Sequence, residues 1–133
     1  PAYLLVNEAY QHGIKVIPIP GPSALTAALS VSGLPTDKFS FYGFLPRKKG
    51  KRKKLLESLK EREETLVFFE SVHRIKNFLS EICEIFGDRE VVVGRELTKK
   101  FEEIRRGRIK EIIDWYQKNV VKGEFVILVK GKE

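Results

Sequence analysis

A carboxylate and an imidazole lie close together in this sequence, at Glu70 and His73, with Ser71 and Arg74 beside them. They follow residues 65–69, an apolar run that predicts a buried strand. Ligand sites in α/β sheets collect at the carboxyl ends of strands. Glu70 or His73 could therefore polarise a hydroxyl group and accept its proton. The structural alternative is that Glu70 pairs with Arg74 and that His73 makes a local hydrogen bond.

A second chemically distinctive segment is strongly basic. Seven of the eight residues from 47 to 54 carry positive charge, and only Gly50 interrupts them: Arg47, Lys48, Lys49, Lys51, Arg52, Lys53 and Lys54. Such a block can grip several phosphates of a nucleic-acid backbone. The alternative is a solvated, lysine-rich surface. The net charge of +7 resides in this block because the rest of the chain is balanced, which favours a local docking surface.

Further charged residues follow the predicted strand at residues 91–93. Arg95 and Lys99 could hold nucleic-acid phosphate, the arginine in a bidentate manner and the lysine as a point charge. The alternative is a structural network with Glu102 and Glu103. The sequence leaves both interpretations open.

The periodicity of apolar residues predicts alternating helices and strands, and hence an α/β fold. We expect helices at residues 2–12, 24–32, 51–60, 75–86 and 109–116, and strands at 15–19, 39–44, 65–69, 91–93, 102–106 and 125–129. Ser23 can cap the second helix, and Gly33 is a favoured stop. The aromatic residues Phe41, Tyr42 and Phe44 could stack on bases or pack in the core.

Composition excludes several classes of protein. No apolar run approaches the length of a transmembrane helix and no signal peptide is visible, so we expect a cytoplasmic protein without membrane contact. The single cysteine, Cys83, cannot form an internal disulfide or a zinc site with cysteine partners.

Four short stretches occur together: residues 20–24 (PGPSA), 70–74 (ESVHR), 94–99 (GRELTK) and 122–126 (KGEFV). In this order, with the aromatic residues and the basic block between the first two, the chain closely resembles the tetrapyrrole methylase superfamily. Within it, the resemblance is to the ribosomal RNA small-subunit methyltransferase I branch. It covers essentially the whole chain.

The resemblance implies a class III methyltransferase fold, with a mixed sheet flanked by helices. It implies S-adenosylmethionine as cofactor, a homodimer, no metal, and methylation of a cytidine ribose 2′-oxygen in small-subunit ribosomal RNA. It also implies that Ser23 and Ala24 contact the cofactor, together with the turn at Glu70 and Ser71. From the wider superfamily, Gly107 and Gly123 are carried over as residues that enclose the adenosine. The residues expected to serve catalysis are Glu70 and His73, and those expected to bind RNA are the seven basic residues of the block with Arg95 and Lys99.

Family members begin with a further half-domain that carries a glycine-rich loop and a Ser-Asp-Ala-Gly-Thr-Pro segment. We therefore expect residues 1–37 to be the end of the N-terminal methylase domain and residues 38–133 to be the C-terminal domain. Such a fragment would lack part of the cofactor pocket and be inactive alone. Two alternatives stay open: a methylase of porphyrin-like or corrin-like small molecules, and a non-catalytic RNA-binding module. The basic block argues against the first.

Overall fold

The computed structural model describes residues 2–133. Within them lie the helices α1 (Ala2–Gln11), α2 (Ala24–Ser32), α3 (Lys49–Leu59), α4 (Ile75–Phe86) and α5 (Ile109–Lys118). The strands are β1 (Phe39–Phe44), β2 (Thr65–Ser71), β3 (Glu90–Arg95), β4 (Glu103–Arg108) and β5 (Glu124–Val129). The chain is thus of the α/β class, as the alternating pattern predicts.

The strands form one mixed sheet in the order β1-β2-β5-β3-β4. β1 and β2 are parallel, and the other neighbouring pairs are antiparallel. Consequently β1, β2 and β3 end, and β4 and β5 begin, at the same side of the sheet. We call this side the upper edge; its strand termini are Phe44, Ser71, Arg95, Glu103 and Glu124. The opposite side is the lower edge.

Helices α3, α4 and α5 cover one face of the sheet. The buried residues of α4 recur at helical spacing: Ile75, Phe78, Leu79, Ile82 and Phe86. They belong to the same core as Leu66, Phe68 and Ile127 of the sheet. We call this the helical face.

The other face of the sheet is covered by α2. Ala28 and Leu29 of this helix pack in a second cluster with Val67, Val92 and Leu128. β2 is apolar at successive positions because it is buried on both faces.

The predicted strand at residues 15–19 is wrong. A strand needs a neighbour whose backbone supplies hydrogen-bond partners, and no strand of the described chain pairs with this segment. Ile17 and Ile19 are 64% and 84% exposed. Helix α1 likewise buries none of its residues. Among the described residues, no helix is long and apolar enough to cross a membrane.

Candidate functional site

The sequence motifs converge on the upper edge. Ser71 ends β2, Arg95 ends β3, and Gly123 comes directly before β5. The basic block follows β1 and continues into α3, whose first residue is Lys49. Segments far apart in the sequence are thereby brought to one side of the sheet, which is the arrangement that a ligand site requires.

Gly107 does not lie with these residues. It pairs with Val91, at the lower end of the β3–β4 ladder. There it lines a separate cavity with Phe86 and Arg89. The reason is the direction of β4, which begins at the upper edge and runs away from it. We therefore leave Gly107 out of the candidate site.

A cavity of about 280 Å³ opens at the upper edge, on the face of the sheet that carries α2. Its lining residues are Ala24, Phe44, Phe69, Glu96, Leu97, Lys99, Glu124, Phe125 and Val126. A neighbouring depression shares Ala24 and Leu97 with it and is also lined by Ser23 and Thr98. We call the two together the α2 cleft. Apolar walls with a few charged groups at the rim are typical of small-molecule sites.

Ser23 stands at the amino-terminus of α2, where the sequence predicts a capping residue. Its backbone is extended as a cap requires, yet its side chain makes no capping hydrogen bond. The hydroxyl is exposed and borders the α2 cleft. The first amides of a helix also lack intrahelical partners. Ser23 therefore leaves both a hydroxyl and backbone N–H groups available to a polar ligand.

A β-bulge in β1 decides which aromatic side chains reach the cleft. Gly43 has φ of 58°, and the pairing with β2 shifts between Phe41 and Gly43. The extra residue puts Phe44 on the same face as Phe41, and both rings meet Phe69 edge-on, with centroids 5.7 Å and 4.9 Å away. Tyr42 turns to the helical face instead and stacks on Phe68. Of the two alternatives that the sequence leaves open, Tyr42 thus takes the core position, whereas Phe41 and Phe44 stay 45% and 63% exposed.

Glu70 is buried, with 1% of its surface exposed. Its Oε1 accepts hydrogen bonds from the Ser71 amide at 2.7 Å and from Arg74 Nε at 2.8 Å. Side chains alternate along a strand, so Glu70 shares the helical face with Phe68, while Ser71 shares the cleft face with Phe69. The geometry thus favours the structural role for Glu70.

His73 lies in the turn between β2 and α4 and is exposed. Within residues 2–133 its imidazole makes no hydrogen bond or ion pair. The local hydrogen bond that was the structural alternative for His73 is therefore not made within these residues. His73 remains available at the upper edge.

The charged network that the sequence offers as an alternative forms only in part: Arg95 pairs with Glu103, whereas Lys99 pairs with neither Glu102 nor Glu103 within the described residues. Arg95 Nη2 lies 3.1 Å from Glu103 Oε2. Lys99 Nζ lies 3.1 Å from both Glu96 Oε1 and Glu124 Oε2. The backbone N–H of Glu124 and then Lys99 lower the pKa of Glu96. Arg95 and Lys99 are therefore already paired with carboxylates.

The basic block divides into paired and unpaired residues. Arg52 forms an ion pair with Glu81, and Lys53 forms one with Glu84. Five residues have no ion pair within the described chain, and we call them the free basic cluster: Arg47, Lys48, Lys49, Lys51 and Lys54. All five are exposed. The first turn of α3 contains no acidic residue, so the positive helix end adds to their charge.

The sequence did not predict some residues of the candidate site. Phe69 and Leu97 line the α2 cleft, but each reads as an ordinary core residue. Glu81, the partner of Arg52, lies 29 residues away in the sequence. Its charge does not distinguish it in the sequence, because the same helix also carries Glu84. In the described part of the chain, no group of His, Cys, Asp and Glu side chains could hold a metal ion.

Comparison with known proteins adds a family to this geometry. The sequence model of the Tetrapyrrole (Corrin/Porphyrin) Methylases matches residues 1–113. A relative from Thermotoga maritima named ribosomal RNA small subunit methyltransferase I is 49% identical over 133 residues, covering 100% of this chain and 60% of the relative. The protein of the same name from Bacillus subtilis is 47% identical, covering 98% of this chain and 45% of the relative. The chain thus spans about half the length of the curated relatives it matches.

Solved structures share the fold at lower sequence identity. Cobalt precorrin-4 methyltransferase, a cobalamin biosynthetic enzyme, gives a TM-score of 0.66 at 19% identity over 96% of this chain and 57% of that chain. Uroporphyrin III C-methyl transferase from Thermus thermophilus gives 0.59 at 22% identity over 94% of this chain and 55% of that chain. The fold, the order of the motifs and the family match agree: the chain belongs to the tetrapyrrole (corrin/porphyrin) methylase family.

Proposed function

We propose that this chain is part of an S-adenosylmethionine-dependent methyltransferase that modifies a cytidine 2′-oxygen in small-subunit ribosomal RNA. The observation that carries the proposal is the position of the free basic cluster at the same edge as the α2 cleft. A polyanion held by the cluster would reach a small molecule held in the cleft. The names of the Thermotoga maritima and Bacillus subtilis relatives support the same substrate class.

The α2 cleft fits S-adenosylmethionine in its chemistry. The unbonded Ser23 hydroxyl and the amides of Ala24 and its neighbours suit the carboxylate of the amino-acid moiety. Phe44 and Phe69 offer apolar surface to the adenine ring. Ser71 and Gly123 stand at the same edge. When bound, the cofactor supplies an electrophilic methyl group on a sulfonium ion.

The remaining residues of the upper edge would hold and activate RNA. The free basic cluster would bind phosphates, and the exposed face of Phe41 would stack on a base. The attacking ribose hydroxyl must lose a proton, and the imidazole of His73 is a free acceptor for it. Glu70 would act indirectly, by fixing Arg74 and the turn that presents His73. Arg95 and Lys99 would shape the rim of the cleft and contact phosphate only after exchanging carboxylate partners.

We further propose that a preceding half-domain completes the cleft, so that residues 1–37 end one domain and residues 38–133 form the next. The shortness of the chain relative to its relatives supports this. We also propose that the protein forms a homodimer, as the family resemblance implies, and that it is cytoplasmic, because its proposed substrate is ribosomal RNA.

A second candidate function is methylation of a porphyrin-like or corrin-like small molecule. The likeness in fold to precorrin-4 and uroporphyrin III methyltransferases favours it. The free basic cluster argues against it, because a small substrate has no use for five unpaired cations outside the cleft.

Isothermal titration of S-adenosylhomocysteine tests the cofactor site. The chain would be compared with a version joined to the family's N-terminal half-domain. We expect tight binding only in the joined protein. Absence of binding in both would favour a non-catalytic RNA-binding module, and equal binding would show that residues 2–133 hold the pocket by themselves.

A further inference from the structure

We infer that Arg52 is a positioning residue: it holds the free basic cluster in the geometry that grips RNA, and it does not itself contact phosphate. The inference rests on the proposed function. The sequence alone predicts that Arg52 binds phosphate directly, like the other six basic residues of the block. The inference replaces that role with a structural one.

The guanidinium of Arg52 donates four hydrogen bonds within the protein, from its five N–H groups. Nε and Nη2 donate to the two carboxylate oxygens of Glu81 at 2.6 Å and 2.7 Å, which is a bidentate pair. Nη1 donates to the carbonyl oxygens of Pro46 at 3.1 Å and of Arg47 at 2.9 Å. Only 12% of the arginine side chain and 17% of the glutamate side chain are exposed. A phosphate would have to displace these partners in order to reach the guanidinium.

These bonds connect three parts of the molecule. Arg52 itself lies in α3, Glu81 lies in α4, and Pro46 and Arg47 form the loop that enters the basic block. One guanidinium therefore fixes the loop against both helices. The pairing is electrostatically strong, since the hydrogen bond from Arg52 lowers the pKa of Glu81 and that from Glu81 raises the pKa of Arg52.

The neighbouring pair provides a contrast. Lys53 Nζ lies 3.3 Å from Glu84 Oε1, with 52% and 69% of the two side chains exposed. It joins the same two helices, but Lys53 makes no bond to the loop within the described chain. An exposed pair of this kind contributes little. Glu84→Gln is thus a matched control for Glu81→Gln, because both remove one negative charge from the same helix.

The direction in which Glu81→Gln changes RNA affinity distinguishes a positioning role of Arg52 from a purely electrostatic one. Removing the negative charge of Glu81 makes the surface more positive, and electrostatics alone would tighten RNA binding. If Arg52 positions the loop, Glu81→Gln weakens binding about three- to tenfold, because the freed loop must be ordered again when RNA binds. Arg52→Lys should weaken binding similarly, since an ammonium group cannot make the bidentate pair and bind two carbonyls.

The experiment measures the affinity of the chain for a single-stranded RNA oligonucleotide at several salt concentrations. The proteins are the wild type, Glu81→Gln, Arg52→Lys, Glu84→Gln and the triple variant K49E/K51E/K54E. Amide hydrogen exchange at residues 47–52 is measured in each. We expect Glu81→Gln and Arg52→Lys to lose affinity, to show a shallower salt dependence and to exchange faster at this loop, while Glu84→Gln does none of these.

Two outcomes would overturn the inference, and they are distinguishable. If the triple variant loses RNA binding while Glu81→Gln binds as tightly as wild type or more tightly, Arg52 is not a positioning residue and the proposed function stands. If wild type binds RNA no better than the triple variant, the RNA-binding function itself fails, and the inference fails with it. Arg52→Lys keeps the test decisive if Glu81→Gln does not fold.

Discussion

The carboxylate of Glu96 accepts a hydrogen bond from the backbone N–H of Glu124 at 2.9 Å. The Glu96 amide in turn donates to the Glu124 carbonyl at 3.0 Å. This reciprocal contact fastens the turn after β3 to the start of β5, and both segments border the α2 cleft. Glu96 adopts φ of 49°, which is unusual for a non-glycine residue and marks a turn that its surroundings hold in place.

Substitution of Gly123 tests this contact. Gly123 has φ of 111°, and a Cβ there would lie 2.5 Å from Glu96 Cγ. We expect Gly123→Ala to lower the free energy of unfolding by about 1–3 kcal/mol, through backbone strain and displacement of Glu96. Denaturant unfolding measures the change. Gly50→Ala is the control: it lies in α3 with open space around it, and should stabilise by about 0.5–1 kcal/mol. Equal effects of the two substitutions would contradict the account.

Reversal of charge in the free basic cluster tests the proposed RNA-binding surface. We expect K49E/K51E/K54E to weaken binding of single-stranded RNA about tenfold or more at moderate salt, and to reduce the slope of log affinity against log salt by about 2. The control is K38E/K60E/K110E, which makes the same change in charge near the lower edge. Equal loss in both variants would mean that net charge, rather than this surface, governs binding.

The block should not be tested by reversing Arg52. Its pairing with Glu81 predicts that Arg52→Glu destabilises the fold itself, since it would place two carboxylates together in a largely buried position. Loss of RNA binding in a variant that includes Arg52→Glu would therefore say nothing about phosphate contact.

Ser23→Ala tests whether this hydroxyl serves a ligand or the helix. Loss of a capping bond costs about 1 kcal/mol of stability, but Ser23 makes no such bond, so we expect the free energy of unfolding to change by less than about 0.5 kcal/mol. In the joined two-domain protein, the dissociation constant for S-adenosylhomocysteine should rise. Ser80→Ala, on α4, is the control for a serine remote from the cleft. An unchanged dissociation constant would remove Ser23 from the proposed pocket.

Acid should weaken the fold through Glu81. The hydrogen bond from Arg52 holds the pKa of Glu81 below its ordinary value of 4.5. The folded state therefore binds the proton more weakly than the unfolded state does. The stabilisation is complete above pH 4.5 and is lost as the pH falls through the lowered pKa. Denaturant unfolding between pH 6 and pH 3 should show a shallower fall for Glu81→Gln than for wild type, and identical pH profiles would contradict the pairing.

Periodicity in the sequence predicted most of the fold. The predicted bounds of β1 and α4 agree with the structure. In both segments the pattern of apolar residues stops where the type of residue changes. β2 and β3 extend beyond their predicted apolar runs, since the sheet continues through Glu70 and Arg95. The strand prediction for residues 15–19 was wrong, because an apolar run by itself does not specify a second strand to pair with. A strand forms only where another segment of the sheet supplies its hydrogen-bond partners.

The site was less predictable than the fold. Motifs located the upper edge, but they could not tell which face each side chain takes. The alternation in β2 directs Glu70 to the helical face, and the bulge at Gly43 directs Phe44 to the cleft. Nor could charge composition separate Arg52 from its six basic neighbours, because its partner Glu81 is distant in the sequence.

Methyl transfer by the chain joined to the family's N-terminal half-domain is the decisive test of the proposed function. Labelled S-adenosylmethionine and small-subunit ribosomal RNA would be incubated with the protein, and the nucleosides would be analysed after digestion. We expect label in 2′-O-methylcytidine, with strong loss in K49E/K51E/K54E. Label on a porphyrin-like substrate with none in RNA, or cofactor-independent RNA binding without any transfer, would contradict it.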